Sequence, residues 1–138
     1  NTSDAITVNN TESFRYFNNG FISNDNKLVY SATIRVDITI DKEKCEVATA
    51  ELNFNDDVSG LSFDSISSVI EGSSDTTVYG SKVTIDVSMM TTEEVTIVFT
   101  LTSNKDDFTT NVFSPIYNYS GDDSIFNIEL NVTKEKSE

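Results

Sequence analysis

The sequence predicts an all-β protein of two stacked antiparallel sheets, and three observations predict it. Residues 28–40 read Leu-Val-Tyr-Ser-Ala-Thr-Ile-Arg-Val-Asp-Ile-Thr-Ile, apolar at every even position and polar at almost every odd one. That period of two is the signature of a strand with one buried face. Similar alternations recur to the end of the chain, with no helical periodicity between them. The segments separating them are rich in Asn, Asp, Ser and Gly, which are turn residues. About eight or nine strands at roughly 8–12-residue spacing indicate a β-sandwich. Their uneven lengths count against a closed barrel.

Taken in order, residues 5–8 form a short alternation suited to an edge strand. Residues 13–17 follow, with Phe14 and Tyr16 on one side and Arg15 and Phe17 on the other. Asn18-Asn19-Gly20 and Ser23-Asn24-Asp25-Asn26 are turn chemistry, because Asn and Gly tolerate left-handed backbone angles. Residues 28–40 are the longest strand, and residues 41–45 make a charged turn. Residues 46–55 alternate again, with Ala48, Ala50, Leu52 and Phe54 inward. Residues 55–60 are a loop, and Leu61 and Phe63 open a strand that runs through Ile66 to Ile70. Residues 71–75 read as a hairpin loop, and residues 77–79 and 83–87 as strands with Val83, Ile85 and Val87 inward. Residues 89–94 break the alternation and suit one helical turn. Val95, Ile97, Phe99 and Leu101 share a face. Pro115 interrupts the extended residues 108–119, as at an edge strand or bulge. Phe126, Ile128, Leu130 and Val132 mark the last strand, before a charged tail from Lys134.

The chain of 138 residues fits one domain, placed at 1–133 with 134–138 as tail or linker. A chain of this size buries roughly 70% of its unfolded surface, so it folds without a disulfide or structural metal. Nine basic and 23 acidic residues give a net charge of −14, which repels nucleic acid and anionic membrane and attracts cations and basic partners. Cys45 is the only cysteine, which excludes a disulfide framework and makes a small apolar filler of it. No apolar run reaches the ~18 residues of a membrane-spanning helix. Abundant Ser and Thr, scarce Lys and Arg, and the absence of an initial Met suggest an exported, processed segment.

Residues 30–40, then Ala50-Glu51-Leu52-Asn53-Phe54-Asn55-Asp56-Asp57-Val58-Ser59-Gly60-Leu61-Ser62-Phe63, then residues 80–101, resemble the Ig-like repeats of bacterial and archaeal cell-surface proteins. In those repeats a strand ends in an Asp-containing loop, followed by Gly-Leu-x-Phe and a Thr/Val-rich hairpin. Gly60-Leu61-Ser62-Phe63 and Glu93-Glu94-Val95-Thr96-Ile97 occupy those places. The Pro that often precedes the Gly is missing, as is a clear Asn-x-Gly after the first strand. Cohesin modules are a weaker likeness, through similar length and an Asp-rich turn after an apolar strand. Either resemblance implies an Ig-like sandwich with a role in surface display or adhesion.

Acidic and Asn doublets recur in the inferred loops, at residues 24–26, 55–57, 106–107 and 122–123. Calcium takes six to eight hard oxygen ligands, which loop carboxylates and carbonyls supply. Asn55, Asp56 and Asp57 are the candidate calcium ligands, and solvated turns are the competing reading. Tyr117 and Tyr119 share parity with Phe113 near Pro115, so a strip of rings for stacking on sugars competes with a core role. The chain has no His, which excludes Ser-His-Asp and Cys-His nucleophiles. Paired-carboxylate catalysis needs a cleft that a small sandwich does not obviously offer. A Lys–Asn or Lys–Asp cross-link needs an inward lysine, whereas Lys82 points opposite to Val83. The expectation is a non-catalytic extracellular structural or adhesion module of a cell-surface protein. It would display loops or strand edges to a protein partner, with calcium as the one cofactor its loops would take. A carbohydrate-binding module using Tyr117 and Tyr119 is the alternative. Nucleic acid and membrane insertion are not expected.

Overall fold

A computed structural model of the chain describes residues 4–9, 15–24, 27–54, 65–105 and 126–137. Among them are eight strands: β1 (Ile6–Val8), β2 (Arg15–Asn24), β3 (Lys27–Ile40), β4 (Cys45–Phe54), β5 (Ser65–Glu71), β6 (Lys82–Asp86), β7 (Glu94–Lys105) and β8 (Phe126–Glu135). They form two antiparallel sheets. One has the order β1-β3-β7-β5, with β2 also on β3, and the other has the order β6-β4-β8. No α-helix occurs among the described residues, and one 3₁₀ turn, Val87–Met89, precedes β7.

The apolar alternation decides which side of each strand is buried. Ile34, Val36, Ile38 and Ile40 of β3 are fully buried. Ile34 pairs with Phe99, Val36 with Ile97 and Ile38 with Val95, so β7 aligns its apolar set in register. On the second sheet Ala48 pairs with Ile85 and Val132, and Ala50 with Val83 and Leu130. Residues of both sheets join a single buried cluster. The small Ala48 and Ala50 of the central strand β4 belong to the same buried cluster as Phe99 and the isoleucines, a mix of small and large side chains that suits facing layers.

Since β7 occupies one edge of β3, β1 and β2 share the other. β1 pairs with residues 38–40 and β2 with residues 27–35. Asn18-Asn19-Gly20, expected as a turn, lies inside β2. Asn18 pairs with Ala32 and Gly20 with Ser31, so Asn19 is the extra residue of a bulge. The long edge of β3 continues to offer partners, and a bulge absorbs the turn residues without ending the strand. Asn24 pairs with Lys27, closing the β2–β3 hairpin around two residues.

Two other boundaries differ from the pattern. Residues 77–79 make only a bridge, Ser68 to Tyr79, because the Thr77 amide donates to the Asp75 side chain at 2.9 Å. β8 runs on through Lys134 and Glu135, which pair with Val47 and Cys45, so the strand extends two residues into the expected charged tail. A contact between Lys134 Nζ and Glu46 at 3.3 Å accompanies this extension.

Candidate functional site

The outward positions of the first sheet form ranks across three strands. Arg35 of β3 pairs with Val98 of β7, which pairs with Val69 of β5. Beside this rank run Asp37, Thr96 and Glu71, and on its other side Thr33, Thr100 and Ser67. Arg35 donates to Glu71 across the intervening β7, and outward-facing Val98 beneath is only 9% exposed. Thr96 Oγ1 donates to Asp37 at 2.6 Å, and the Ser65 and Thr102 hydroxyls are bonded to each other. These cross-strand pairs tie the outward side chains of the three strands together.

Residues 72–81 carry the chain from β5 on one sheet to β6 on the other, as a strap over one side of the molecule. Gly72 starts it at φ 92°, a left-handed angle that suits glycine. A Cβ there would meet the Glu94 carbonyl oxygen at 2.9 Å. The Gly72 carbonyl accepts from the Thr91 amide at 2.9 Å, and the Ser74 amide donates to the Met89 carbonyl at 2.8 Å. Asp75 then organises the next turn. It accepts the Thr77 amide on one oxygen and the Tyr79 hydroxyl, at 2.6 Å, on the other. Those bonds hold the Asp75 carboxyl below its usual range, the Tyr79 bond contributing most. The same bond, with burial adding to it, pushes the Tyr79 phenol up. Ser68 and Tyr79 exchange backbone bonds at 2.7 and 2.8 Å. Ser68, 2% exposed, is satisfied by donating to the Gly80 carbonyl at 2.6 Å. The strap ends where the Leu52 amide donates to the Ser81 carbonyl at 2.9 Å, anchoring it to β4.

Asp4, Asp41, Glu43 and Glu93 surround an open hollow of about 450 Å³ at one end of the sheets, with Ala5, Thr7 and Thr39. Its walls are tied together, the Asp41 amide donating to the Ala5 carbonyl at 2.8 Å and the Ile40 amide to that of Glu93 at 2.9 Å. Asp41 Oδ1 accepts the Glu43 amide, and Lys44 lies 3.2 Å from Asp4. The hollow therefore attracts positive charge. No three carboxylates among the described residues converge closely enough to hold a metal.

Cys45 opens β4 and is fully buried, at the foot of a hollow of about 180 Å³ bordered by Lys42, Glu46, Val87, Ser88 and Lys136. Burial raises its thiol above the ordinary value, which favours an inert filler over a nucleophile. Lys82 is exposed on β6, as the alternation requires.

Asn55, Asp56 and Asp57, the calcium candidates, and Tyr117 and Tyr119, the sugar-stacking candidates, lie outside the described residues. The Asp75–Thr77–Tyr79 unit was not singled out by the sequence pattern. Its one signal is an Asp two residues before a Thr, the spacing of an Asx turn.

Fold and surface together define an all-β protein of two antiparallel sheets around one core, with cross-strand polar pairs on its outer face and a braced strap. Comparison with protein-family models, curated proteins and solved structures finds no match.

Proposed function

We propose that the chain is a non-catalytic, exported module of a cell-surface protein, with Ig-like connectivity, whose faces and edges meet a protein partner. The strand order supports the Ig-like part. The sequence β1-β3-β7-β5 follows the A-B-E-D order of an Ig constant-type sheet, and the β4–β8 neighbours follow C and F. β2, which shares β1's edge of β3, and β6, which pairs with the other side of β4 from β8, depart from that scheme.

One observation carries the functional part. The buried apolar residues of both sheets close into one cluster, while on the outer face of the first sheet Arg35 pairs with Glu71 and Thr96 with Asp37. Such surfaces offer area for docking, whereas small-molecule chemistry uses a concave, mostly apolar cleft with a few convergent polar groups. A net charge of −14 and abundant Ser and Thr support export and favour a basic partner.

Immobilised protein applied to cells and extracellular matrix tests this reading, beside panels of glycoside, ester and peptide substrates. Saturable retention of a protease-sensitive component, without turnover, is expected. Catalytic turnover of any substrate by the pure chain overturns the reading.

A further inference from the structure

Among the side chains whose exposure is described, Val69, at 39%, and Val78, at 66%, are large apolar groups open to solvent. They are neighbours. Ser68 of β5 is bridged antiparallel to Tyr79, which places Val69 beside Val78 one step along. Ser68 is buried and Tyr79 packs on the core, so alternation turns both valines to the outer face. Val69 in turn pairs with Val98, and the rank Val98–Val69–Val78 grows more exposed toward the margin of the sheet.

The backbone at that margin is arranged to accept another strand. Ser68 and Tyr79 exchange both N–H···O bonds, so the Tyr79 amide and carbonyl face β5. In an antiparallel pair the adjacent residue then directs its own N–H and C=O to the opposite side. Among the described residues, nothing accepts from the Val78 amide or donates to its carbonyl. Asp75 fixes residues 75–79 through Thr77 and Tyr79, so little ordering is left to be done on binding. The surrounding charge is acidic. Asp75 lies on the same segment and Asp86 is near enough to act electrostatically on Tyr79, while Glu71 at the end of β5 is already engaged by Arg35.

We infer that the outer edge of residues 76–79, with the Val78 and Val69 side chains, is a docking site for an extended basic segment of a partner protein. In that segment aliphatic residues alternate with lysine or arginine. The added strand would bond to the Val78 amide and carbonyl, seat aliphatic side chains against the valines, and bring its cations toward Asp75 and Asp86. This inference rests on the display reading above and names its partner surface.

The test titrates isotope-labelled protein with a short peptide of alternating lysine and valine, and with its glutamate–valine counterpart. Saturable amide shifts confined to residues 67–71 and 76–80 are expected with the basic peptide, weakening as salt rises. Val78→Pro, which removes the amide donor, and Val78→Asp, which replaces the aliphatic side chain with a like charge, should each weaken binding about tenfold or more. Retained Tyr79 and Ser68 amide signals show that the strap is still folded in either variant. Equal binding of the acidic peptide, insensitivity to both variants, or shifts centred on β6 or β1 overturn the inference and leave the display reading intact. Concentration-dependent self-association through residues 76–79 overturns it in favour of a second copy as occupant. Cleavage of the peptide overturns the display reading itself.

Discussion

The Tyr79 hydroxyl donates to one oxygen of the Asp75 carboxylate at 2.6 Å, while the other oxygen accepts the Thr77 amide at 2.9 Å. Three residues far apart on an ideal strand are thereby held as one turn, and the edge at Val78 takes its shape from them. The pH behaviour of this pair has two limbs. Asp75 has a lowered pKa, so its stabilising effect is present above the ordinary carboxylate range and fades as pH falls through the lowered value. Tyr79 has a raised pKa, so its effect is complete below the ordinary phenol value of about 10 and is lost as pH rises through the raised one. Tyr79→Phe should lower the melting temperature by a few degrees at neutral pH. The gap to the parent should close at both the acid and alkaline ends, as thermal melts across pH will show. A gap independent of pH contradicts this account.

Phe99 is fully buried on β7 between Ile34 of β3 and Ser68 of β5. Phe99→Ala should cost about 3–5 kcal/mol, the range for removing a large core aromatic. Thr100→Ala, next along but outward, should stay within about 0.5 kcal/mol. Urea unfolding of the two variants measures the contrast.

Gly72 combines a φ of 92° with a carbonyl oxygen 2.9 Å from where a Cβ would stand. Gly72→Ala therefore meets backbone strain and a clash with a strand that cannot easily retreat. A loss of about 1–3 kcal/mol is expected in equilibrium unfolding, the usual range for an enforced unfavourable backbone angle.

Cys45 should resist thiol reagents at mildly alkaline pH in the native state and react fully in denaturant. Its burial both shields the sulfur and raises its pKa. Cys45→Ser, which buries a hydroxyl in place of a weak donor, should cost about 1–3 kcal/mol if the hydroxyl finds no partner. Labelling kinetics and chemical unfolding read the two effects separately.

The core was legible where a strand has one wet face and one dry one. Ile34, Val36, Ile38, Val95, Ile97 and Phe99 announce their inward faces by period alone, and each is buried. What period cannot show is cover supplied from neighbouring strands. Val98 and Thr49 point outward yet are 9% and 8% exposed, because each is flanked on both sides by paired residues of adjacent strands. Turn chemistry misled at Asn18–Gly20, where β3 offers enough edge for pairing to resume after one extra residue. At Lys134 and Glu135 charge suggested a tail, but a charged side chain does not prevent the backbone from pairing with β4. The strap was least legible. Its shape depends on a side chain, Asp75, reaching residues two and four positions on, which no hydrophobic pattern records.

The most direct test of two sheets closing on one core is a methyl-labelled NOE spectrum in solution. Cross-peaks should link the inward methyl groups of Ile34, Val36 and Ile97 with those of Ala48, Ala50 and Ile85. Their absence, or inward methyl groups of β3 that exchange freely with a water-borne relaxation probe, would contradict the account.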